Sequence, residues 1–325
     1  MNGDKPVQAV FVIPPMVHLL DITGPAHVFY ESMDYGAPVK LFFCNVHSGE
    51  ASIESSSSLF FSNLVDYNEL DLTTGDLVFV PGLASSLLMD DHFLTSSRAF
   101  QYWLKKQFAN GVLICSVCTG AFLLAEAGLL DQKECTTHWK FTERFKARFP
   151  KTLLQNNRLF VKAGTIYTSA GVSSGIDLAL FLVEELFGSG FAASIAKEIV
   201  VYTRRSEADP QLSAFMQHRN HLDQRIHLVQ DVISQSLNKK FGIAQLAVQA
   251  CMSPRNLTRH FRKTTGISIG GYIDKLRAEH AALLIADGHT VKAAAQSCGL
   301  KSTNQLRTLL RSASNPPVDS GPILR

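Results

Sequence analysis

The chain has 325 residues, of which 46% are hydrophobic and 18% are charged, with a formal net charge of +3. This composition is typical of a globular protein long enough for two domains, and no apolar run approaches the roughly 20 residues of a membrane span. Its six cysteines lack the spacing of a disulfide framework, and the N-terminal stretch lacks the features of a signal peptide. We therefore expect a cytoplasmic protein that does not contact a membrane.

Apolar runs alternate with amphipathic segments from residue 7 to residue 205. Strands are predicted at 7–13, 38–44, 76–81, 112–114, 159–162 and 165–168. Helices are predicted from Pro25, with Thr23 as the cap, and at 97–108, 121–128, 139–149, 178–187 and 190–205. This alternation predicts an α/β fold with a doubly wound parallel sheet.

The stretch from 111 to 128 contains a cysteine motif of particular interest. A buried strand is followed by Ser116-Val117-Cys118-Thr119-Gly120 and then by a helix. A small residue two before the cysteine and a glycine two after it match the pattern of a nucleophile elbow. Such an elbow points the thiol into the cleft at the carboxyl edge of the sheet, and the positive end of the helix favours thiolate. The alternative is an inert core cysteine.

Four further positions are candidates for the same cleft. Asp21 follows the first strand, although a loop or capping carboxylate is an equal alternative. Gly82 ends the strand at 76–81 and leaves bare backbone for a ligand. His138 opens a helix and faces either the cleft or the core, whereas the small-residue loop around Gly171 offers backbone N–H groups. Cys115 and Cys118 have the CxxC spacing of half a zinc site, but Cys115 lies within the strand and the sequence has no second such pair. We therefore expect neither a metal nor a cofactor.

The last hundred residues differ from the rest of the chain in net charge. Residues 226–325 contain 13 of the 31 Lys and Arg but 5 of the 28 Asp and Glu, a net charge of +8 against −5 for the rest. The chain is therefore expected to consist of a domain at 1–205, a linker at 206–225 and a basic domain at 226–325. A basic module on an acidic body favours a nucleic-acid partner, although a solvated face is the simpler alternative.

Two helix-turn-helix units are predicted in this basic domain, at about 242–263 and 291–311. In the first, Ser253 caps a helix that begins at Pro254. Its outward side chains would enter a major groove of DNA, and they are Arg255, Asn256, Arg259, Arg262 and Lys263. The second unit repeats the pattern more weakly, with Thr303, Asn304, Arg307 and Arg311 facing outward. A helix at 272–286, about 22 Å long, would separate them.

These residues resemble known families. Residues 242–311 resemble the AraC/XylS DNA-binding domain. The residues that match the pattern of that family are Leu246-Ala247, Met252-Ser253-Pro254-Arg255, Leu257, Arg259, Phe261-Arg262, Gly266, Tyr272 and Leu276-Arg277. Residues 7–205 resemble the ThiJ/PfpI superfamily, which is related to class I glutamine amidotransferases. The segments that match are 20–25, 80–82, 118–120, 137–139 and 168–171. In this order the two parts resemble the GlxA-type transcriptional regulators.

The resemblance implies a flavodoxin-like sensor domain followed by an all-α domain with two helix-turn-helix units. It implies a transcription regulator that binds double-stranded DNA, forms a homodimer and has RNA polymerase as a further candidate partner. Its effector would be a small nitrogen-containing metabolite, bound by Asp21, Gly82, Cys118, Thr119, His138 and Gly171. Arg255, Asn256 and Arg259 would contact bases or phosphates, and Arg262, Lys263, Arg307 and Arg311 mainly phosphates.

The sequence departs from these families at several places. Leu83 replaces a second glycine after Gly82, which would narrow the site. In the second helix-turn-helix unit, small or aliphatic residues stand where larger ones are usual, namely Ala294, Leu300, Leu306 and Leu310. We therefore expect this unit to be loosely packed and the last dozen residues to be disordered.

An enzyme is the alternative to a regulator, because the ThiJ/PfpI side includes isonitrile hydratases. Cys118 would attack a small C–N compound, Asp21 would move a proton, and the N–H groups of Gly82 and Thr119 would hold developing charge. No histidine–carboxylate pair is evident from local spacing to activate the thiol. The basic helix-turn-helix domain, which an isolated hydratase does not need, favours the regulator.

Overall fold

A computed structural model describes residues 5–47, 52–88, 90–201, 205–207, 209–211, 213–286 and 288–314. The chain divides into two compact units, residues 1–211 (unit 1) and 212–325 (unit 2). The division falls within the segment 206–225. The C-terminal tail beyond residue 314, which includes most of the predicted disorder, lies outside the described residues. None of the helices in the described ranges is both long and apolar enough to span a bilayer.

Unit 1 is built around a six-stranded sheet. Its strands are β1 (Val7–Ile13), β2 (Val39–Asn45), β5 (Leu77–Val80), β6 (Leu113–Val117), β9 (Phe160–Ala163) and β10 (Ile166–Ser169). They lie in the order β2-β1-β5-β6-β10-β9, all parallel except β9, which pairs antiparallel with β10. Four short strands form two separate pairs: β3 (Ser52–Glu54), β4 (Phe60–Ser62), β7 (Glu134–Cys135) and β8 (Leu153–Leu154).

Helices cover both faces of this sheet, as the doubly wound prediction requires. They are α1 (Leu19–Asp34), α2 (Ser85–Leu88), α3 (Asp91–Ser96), α4 (Arg98–Ala109), α5 (Gly120–Glu126), α6 (Thr142–Arg148), α7 (Ser174–Phe187) and α8 (Ser189–Glu198). Successive strand residues point to opposite faces. Val10 and Val78 therefore pack in the core with α4 and α5, whereas Phe11 and Phe79 pack in the core with α1 and α7. The predicted α/β architecture is confirmed.

Several predicted boundaries were wrong. The first helix begins at Leu19 and contains Pro25, so Thr23 is not its cap; the Thr23 hydroxyl donates to the carbonyl of Leu19. The helix predicted at 190–205 ends at Glu198. The helix predicted at 139–149 is a 3₁₀ turn (Trp139–Phe141) followed by α6. In each case a local turn ended or extended the apolar periodicity on which the prediction rested.

Helices are the regular secondary structure of the described residues of unit 2, and turns or irregular segments connect them. Its helices are α9 (Ala214–Gln217), α10 (Gln224–Ser234), α11 (Ile243–Gln249), α12 (Pro254–Thr265), α13 (Ile269–Ala286), α14 (Val291–Ser297) and α15 (Thr303–Ser314). One core joins α10 to α13 around Phe261 and Tyr272, and a second, smaller core joins α13 to α15. Three of the six buried residues of the smaller core are alanines, and the other three are Cys298, Leu300 and Leu306. The predicted pair of helix-turn-helix units is therefore present.

Candidate ligand site and candidate DNA-binding surface

The candidate ligand site is organised by the elbow between β6 and α5. Cys118 lies at its tip with a φ of 59°, a left-handed conformation that is rare for residues other than glycine. The residue is 2% exposed, and its backbone N–H donates to the carbonyl of Ser169 on the neighbouring strand β10. The strand–turn–helix geometry predicted for this cysteine is confirmed, and the strained backbone is of a kind that clusters at functional sites.

Asp21 lies beside Cys118, in the first turn of α1 rather than in a loop. It is 1% exposed, and its Oδ1 accepts a hydrogen bond of 2.7 Å from the backbone N–H of Val172. Its Oδ2 accepts no hydrogen bond from the described residues, although it is fully buried. A buried acceptor without a donor is costly, so this oxygen is suited to receive a donor from a bound molecule.

Two glycines allow the backbone to approach these side chains. A Cβ on Gly171, whose φ is +99°, would lie 2.7 Å from the Sγ of Cys118. A Cβ on Gly82 would lie 2.8 Å from the Cβ of Cys118 and still closer to Oδ2 of Asp21. Glycine is therefore required at both positions, because the backbone of Gly171 lies against Cys118 and that of Gly82 lies against both Asp21 and Cys118. The structure brings together Asp21, Gly82, Cys118 and Gly171, four of the six residues assigned to a ligand.

The other two assigned residues lie nearby in different roles. Thr119 is completely buried, and its hydroxyl accepts from the backbone N–H of Leu83 at 3.2 Å. His138 is half-buried, and its Nδ1 accepts from the backbone N–H of Lys140 at 3.3 Å. Burial lowers the pKa of His138, and the negative charge of Asp21 partly opposes that effect. His138 is thus a neutral ring near the site, held by its own turn.

The thiol of Cys118 is not poised as a thiolate. Burial, and secondarily the negative charge of Asp21, raise its pKa well above the ordinary value, and hydrogen bonds from Thr119 offset this only in part. The start of α5 does act as expected, because the backbone N–H of Thr119 lowers this pKa, but its effect is smaller than that of burial. Desolvation of a charged sulfur outweighs the partial positive charge at the end of a seven-residue helix.

His18 is the residue that sequence reasoning missed. Its Nδ1 lies 3.6 Å from Oδ2 of Asp21, and its side chain is 39% exposed, so it forms the solvent-facing edge of the site. The donor atoms of His18, Asp21 and Cys118 all lie within 4.8 Å of one another. Nitrogen, oxygen and sulfur donors at that spacing are chemically able to hold a divalent cation such as zinc. The only feature of the sequence that could have indicated His18 is its position three residues before Asp21.

The candidate DNA-binding surface is formed by α12 in unit 2. Ser253 caps this helix by accepting from the backbone N–H of Asn256 at 3.3 Å, and Pro254 is its first residue, as predicted. Leu257 and Phe261 are completely buried. The opposite face carries exposed Arg255, Arg259, Arg262 and Lys263 around a shallow groove. No described acidic side chain pairs with these four cations.

The second recognition helix, α15, has a similar but weaker surface. Asn304, Arg307 and Arg311 are exposed, and Thr303 is half-buried. Arg307 donates to Oδ1 of Asn304 at 3.4 Å, which repeats the 3.3 Å contact from Arg259 to Asn256 on α12. Both recognition helices therefore present an arginine steadied by an asparagine one turn before it. This arrangement reduces the conformational freedom that the arginine loses on binding.

Comparison with known protein families agrees with these two units. The DJ-1/PfpI family matches residues 7–185, and a helix-turn-helix domain family matches residues 246–315. The first match covers most of unit 1 and includes the whole of the candidate ligand site. The second covers both recognition helices.

Curated relatives include regulators and an enzyme. The HTH-type transcriptional regulator GbdR of Pseudomonas aeruginosa is 30% identical over 209 residues, which are 64% of this chain and 56% of that protein. The chain thus spans little more than half the length of that relative. The HTH-type transcriptional regulator GlxA of Rhizobium meliloti is 27% identical over 56% of each protein. The isonitrile hydratase of Pseudomonas putida is 30% identical over 56% of this chain and 73% of the enzyme.

Solved structures share the fold of part of this chain. A ThiJ/PfpI family protein from Pseudomonas syringae has a TM-score of 0.52 and 21% identity, covering 75% of this chain and 89% of that one. An AraC family transcriptional regulator from Pseudomonas putida has a TM-score of 0.50 and 20% identity, covering 60% of this chain and all of that one. At such identities the likeness shows the fold. With the match over residues 7–185, the chain belongs to the DJ-1/PfpI family and carries a helix-turn-helix domain behind its DJ-1/PfpI domain.

Proposed function

We propose that this protein is a sequence-specific DNA-binding transcription regulator that responds to a small nitrogen-containing metabolite. Residues 1–205 would sense the metabolite, residues 206–225 would link, and residues 226–325 would bind DNA. The observation that carries the proposal is the capped helix α12, whose apolar face is buried while four exposed cations, which pair with no acidic side chain among the described residues, cover the other. A helix of this kind in a helix-turn-helix domain is suited to a major groove.

The ligand class follows from the acceptor in unit 1. Oδ2 of Asp21 is buried and accepts no hydrogen bond of good geometry from the described residues, although Nδ1 of His18 at 3.6 Å and the thiol of Cys118 are neighbouring potential donors. An amine or another group with N–H donors would satisfy this oxygen directly. His18 is the exposed edge at which such a ligand would enter. Cys118 then serves as a wall of the pocket rather than as a nucleophile.

DNA recognition would be divided between bases and phosphates. Arg255, Asn256 and Arg259 lie toward the start of α12, the end that enters the groove in helix-turn-helix proteins, and would contact bases or phosphates. Arg262, Lys263, Arg307 and Arg311 would mainly contact phosphates, and Thr303 and Asn304 would also face the DNA. A homodimer in the cytoplasm, acting with RNA polymerase, completes the proposal.

The test is binding of the full chain to DNA upstream of its own gene, measured across a salt series against competitor DNA. We expect Arg259→Ala to weaken specific binding by about 5- to 150-fold, equivalent to roughly 1–3 kcal/mol, with little change in non-specific binding. Lys240→Ala is the matched control, because it removes an exposed cation of unit 2 outside α12 and α15. Equal effects of the two substitutions would remove Arg259 from the interface.

An isonitrile-hydratase-like activity is the second candidate, supported by the contact of Asp21 with the Cys118 site and by the hydratase relative. The raised pKa of Cys118 makes the thiol a poor nucleophile unless substrate binding alters its surroundings. Incubation with simple isonitriles, with formamide production as the readout, tests this candidate. Turnover that Cys118→Ser abolishes would establish the enzyme.

A further inference from the structure

The last stretch of unit 1, residues 205–211, is attached at both ends to the walls of the Cys118 site. We call this stretch the exit segment, because the chain passes from it directly into unit 2 at residue 212. Its described residues are 205–207 and 209–211, and they form neither helix nor strand. Their positions depend on side-chain contacts and on one backbone bond to the rest of unit 1, from the N–H of Leu159 to the carbonyl of Asp209 at 2.9 Å.

The first attachment joins the exit segment to the loop at 171–174. Arg205 donates through Nη2 to Oδ2 of Asp177 at 2.5 Å and to the hydroxyl of Ser173 at 2.9 Å. Asp177 is only 4% exposed, so the ion pair is largely shielded from water. The same loop donates the Val172 N–H to Asp21 and places Gly171 against Cys118. Arg205 thus holds a loop that contacts both candidate ligand residues.

The second attachment joins the exit segment to the opposite wall. The side-chain amide of Gln211 donates to the hydroxyl of Thr136 at 3.0 Å and to the carbonyl of Thr137 at 2.9 Å. The hydroxyl of Thr137 in turn donates to the carbonyl of Cys118 at 3.1 Å. Gln211 is 7% exposed, and its Oε1 has no donor among the described residues. Arg205 and Gln211, at the two ends of the exit segment, therefore each contact a residue group that in turn contacts the Cys118 site.

The loop at 171–174 is also held in a strained conformation. Val172 has a φ of 51°, which is strongly disfavoured for a β-branched residue, and its N–H bond to Asp21 helps to maintain it. A ligand donor on Oδ2 that draws the Asp21 carboxylate toward itself would lengthen the Val172 bond to Oδ1 and let the loop relax. Relaxation of the loop would move Ser173 and so weaken the hydrogen bond that Arg205 donates to it.

We propose that the exit segment is the output element of the Cys118 site, released when the site is occupied and retained when it is empty. This inference rests on the proposed regulator function, because it is the step by which effector binding would reach unit 2. Arg205 and Gln211 are positioning residues that connect the exit segment to the site. Occupancy of the Cys118 site and release of the exit segment are then thermodynamically coupled. Because such coupling is reciprocal, a substitution that loosens the exit segment should also make the Cys118 site more accessible.

The experiment measures both directions in the full chain carrying Cys251→Ser, which removes the exposed thiol. Iodoacetamide serves as the occupant, and peptide-resolved mass spectrometry follows alkylation of Cys118. We expect alkylation to accelerate hydrogen exchange of peptides from 205–211 by at least about fivefold, the lower end of typical allosteric coupling. We expect Arg205→Met and Gln211→Met to accelerate alkylation of Cys118 by a similar factor. Arg144→Met, which removes an exposed arginine of α6, should not.

Two outcomes would overturn the proposal. One is complete alkylation of Cys118 with unchanged exchange at 205–211. The other is faster exchange in the Arg205 and Gln211 variants with an unchanged alkylation rate. DNA binding by the same samples separates this proposal from the regulator: specific binding without coupling overturns only the exit-segment proposal. Coupling without specific DNA binding supports the exit-segment link and overturns the regulator.

Discussion

Replacing Glu279 by glutamine should stabilise unit 2 at neutral and alkaline pH. Glu279 lies on α13, and its Oε1 accepts the backbone N–H of Ala214, the first residue of α9, at 2.7 Å. Burial raises the pKa of Glu279 from 4.5 to about 7, although the Ala214 hydrogen bond and the positive charge of Lys275 oppose the rise. Glutamine offers the same acceptor without the charge.

The size and sign of the effect follow from the two pKa values. A rise from 4.5 to about 7 corresponds to roughly 3 kcal/mol. Partial exposure of the side chain reduces this to about 2 kcal/mol. Between those pH values the folded state binds more protons than the unfolded state, so the free energy of unfolding falls as pH rises. Below about pH 4.5 Glu279 costs nothing, and above about pH 7 the full cost is present.

Hydrogen exchange of α9 and α13 peptides is the appropriate assay, because both tryptophans, Trp103 and Trp139, lie in unit 1. Glu279→Gln should slow exchange in unit 2 at pH 8 by an amount equivalent to about 2 kcal/mol, after correction for intrinsic rates, and should have little effect at pH 5. Tryptophan fluorescence during urea unfolding should remain unchanged and so controls for unit 1. Asp274→Asn removes an exposed carboxylate from the same helix and should be neutral at both pH values.

The reasoning would be refuted by an effect of Glu279→Gln that is equal at pH 5 and pH 8. It would also be refuted by an Asp274→Asn effect of the same size, since a general change in the charge of α13 would then explain both. A loss of stability in Glu279→Gln at pH 8 would show that the ionised carboxylate is a better acceptor than its burial implies.

Three other substitutions test the site and the recognition helix. Gly171→Ala should lower the free energy of unfolding of unit 1 by about 1–3 kcal/mol, more than Gly164→Ala, which has a similar positive φ but open space around its Cβ; tryptophan fluorescence in urea measures both. Asp21→Asn should lower the pKa of Cys118 and speed its alkylation at pH 8, and an unchanged rate would mean that burial alone sets that pKa. Ser253→Ala should cost about 1 kcal/mol through loss of the α12 cap, whereas Ser253→Asp should not, as exchange of α12 amides would show.

Features that depend on a few consecutive residues were predictable from the sequence. The elbow at Cys118, the Ser253–Pro254 helix start and the alternation of strands and helices are all local patterns, and the structure contains each of them. Periodicity reports which face of an element is apolar, and capping residues report where a helix begins. These signals were sufficient for the fold class and for the outward face of α12.

Features that depend on the meeting of distant segments were decided by the tertiary structure. The bond from Val172 to Asp21 joins residues 151 positions apart, and no local pattern indicates it. The same is true of Arg205 and Gln211, which appeared in the sequence only as polar residues near a linker. The sequence left open whether Cys118 is an activated thiol or an inert core thiol, because the helix end is visible in the sequence but the depth of burial is not. Desolvation depends on how many segments enclose a group, and that number is set only when the chain has folded.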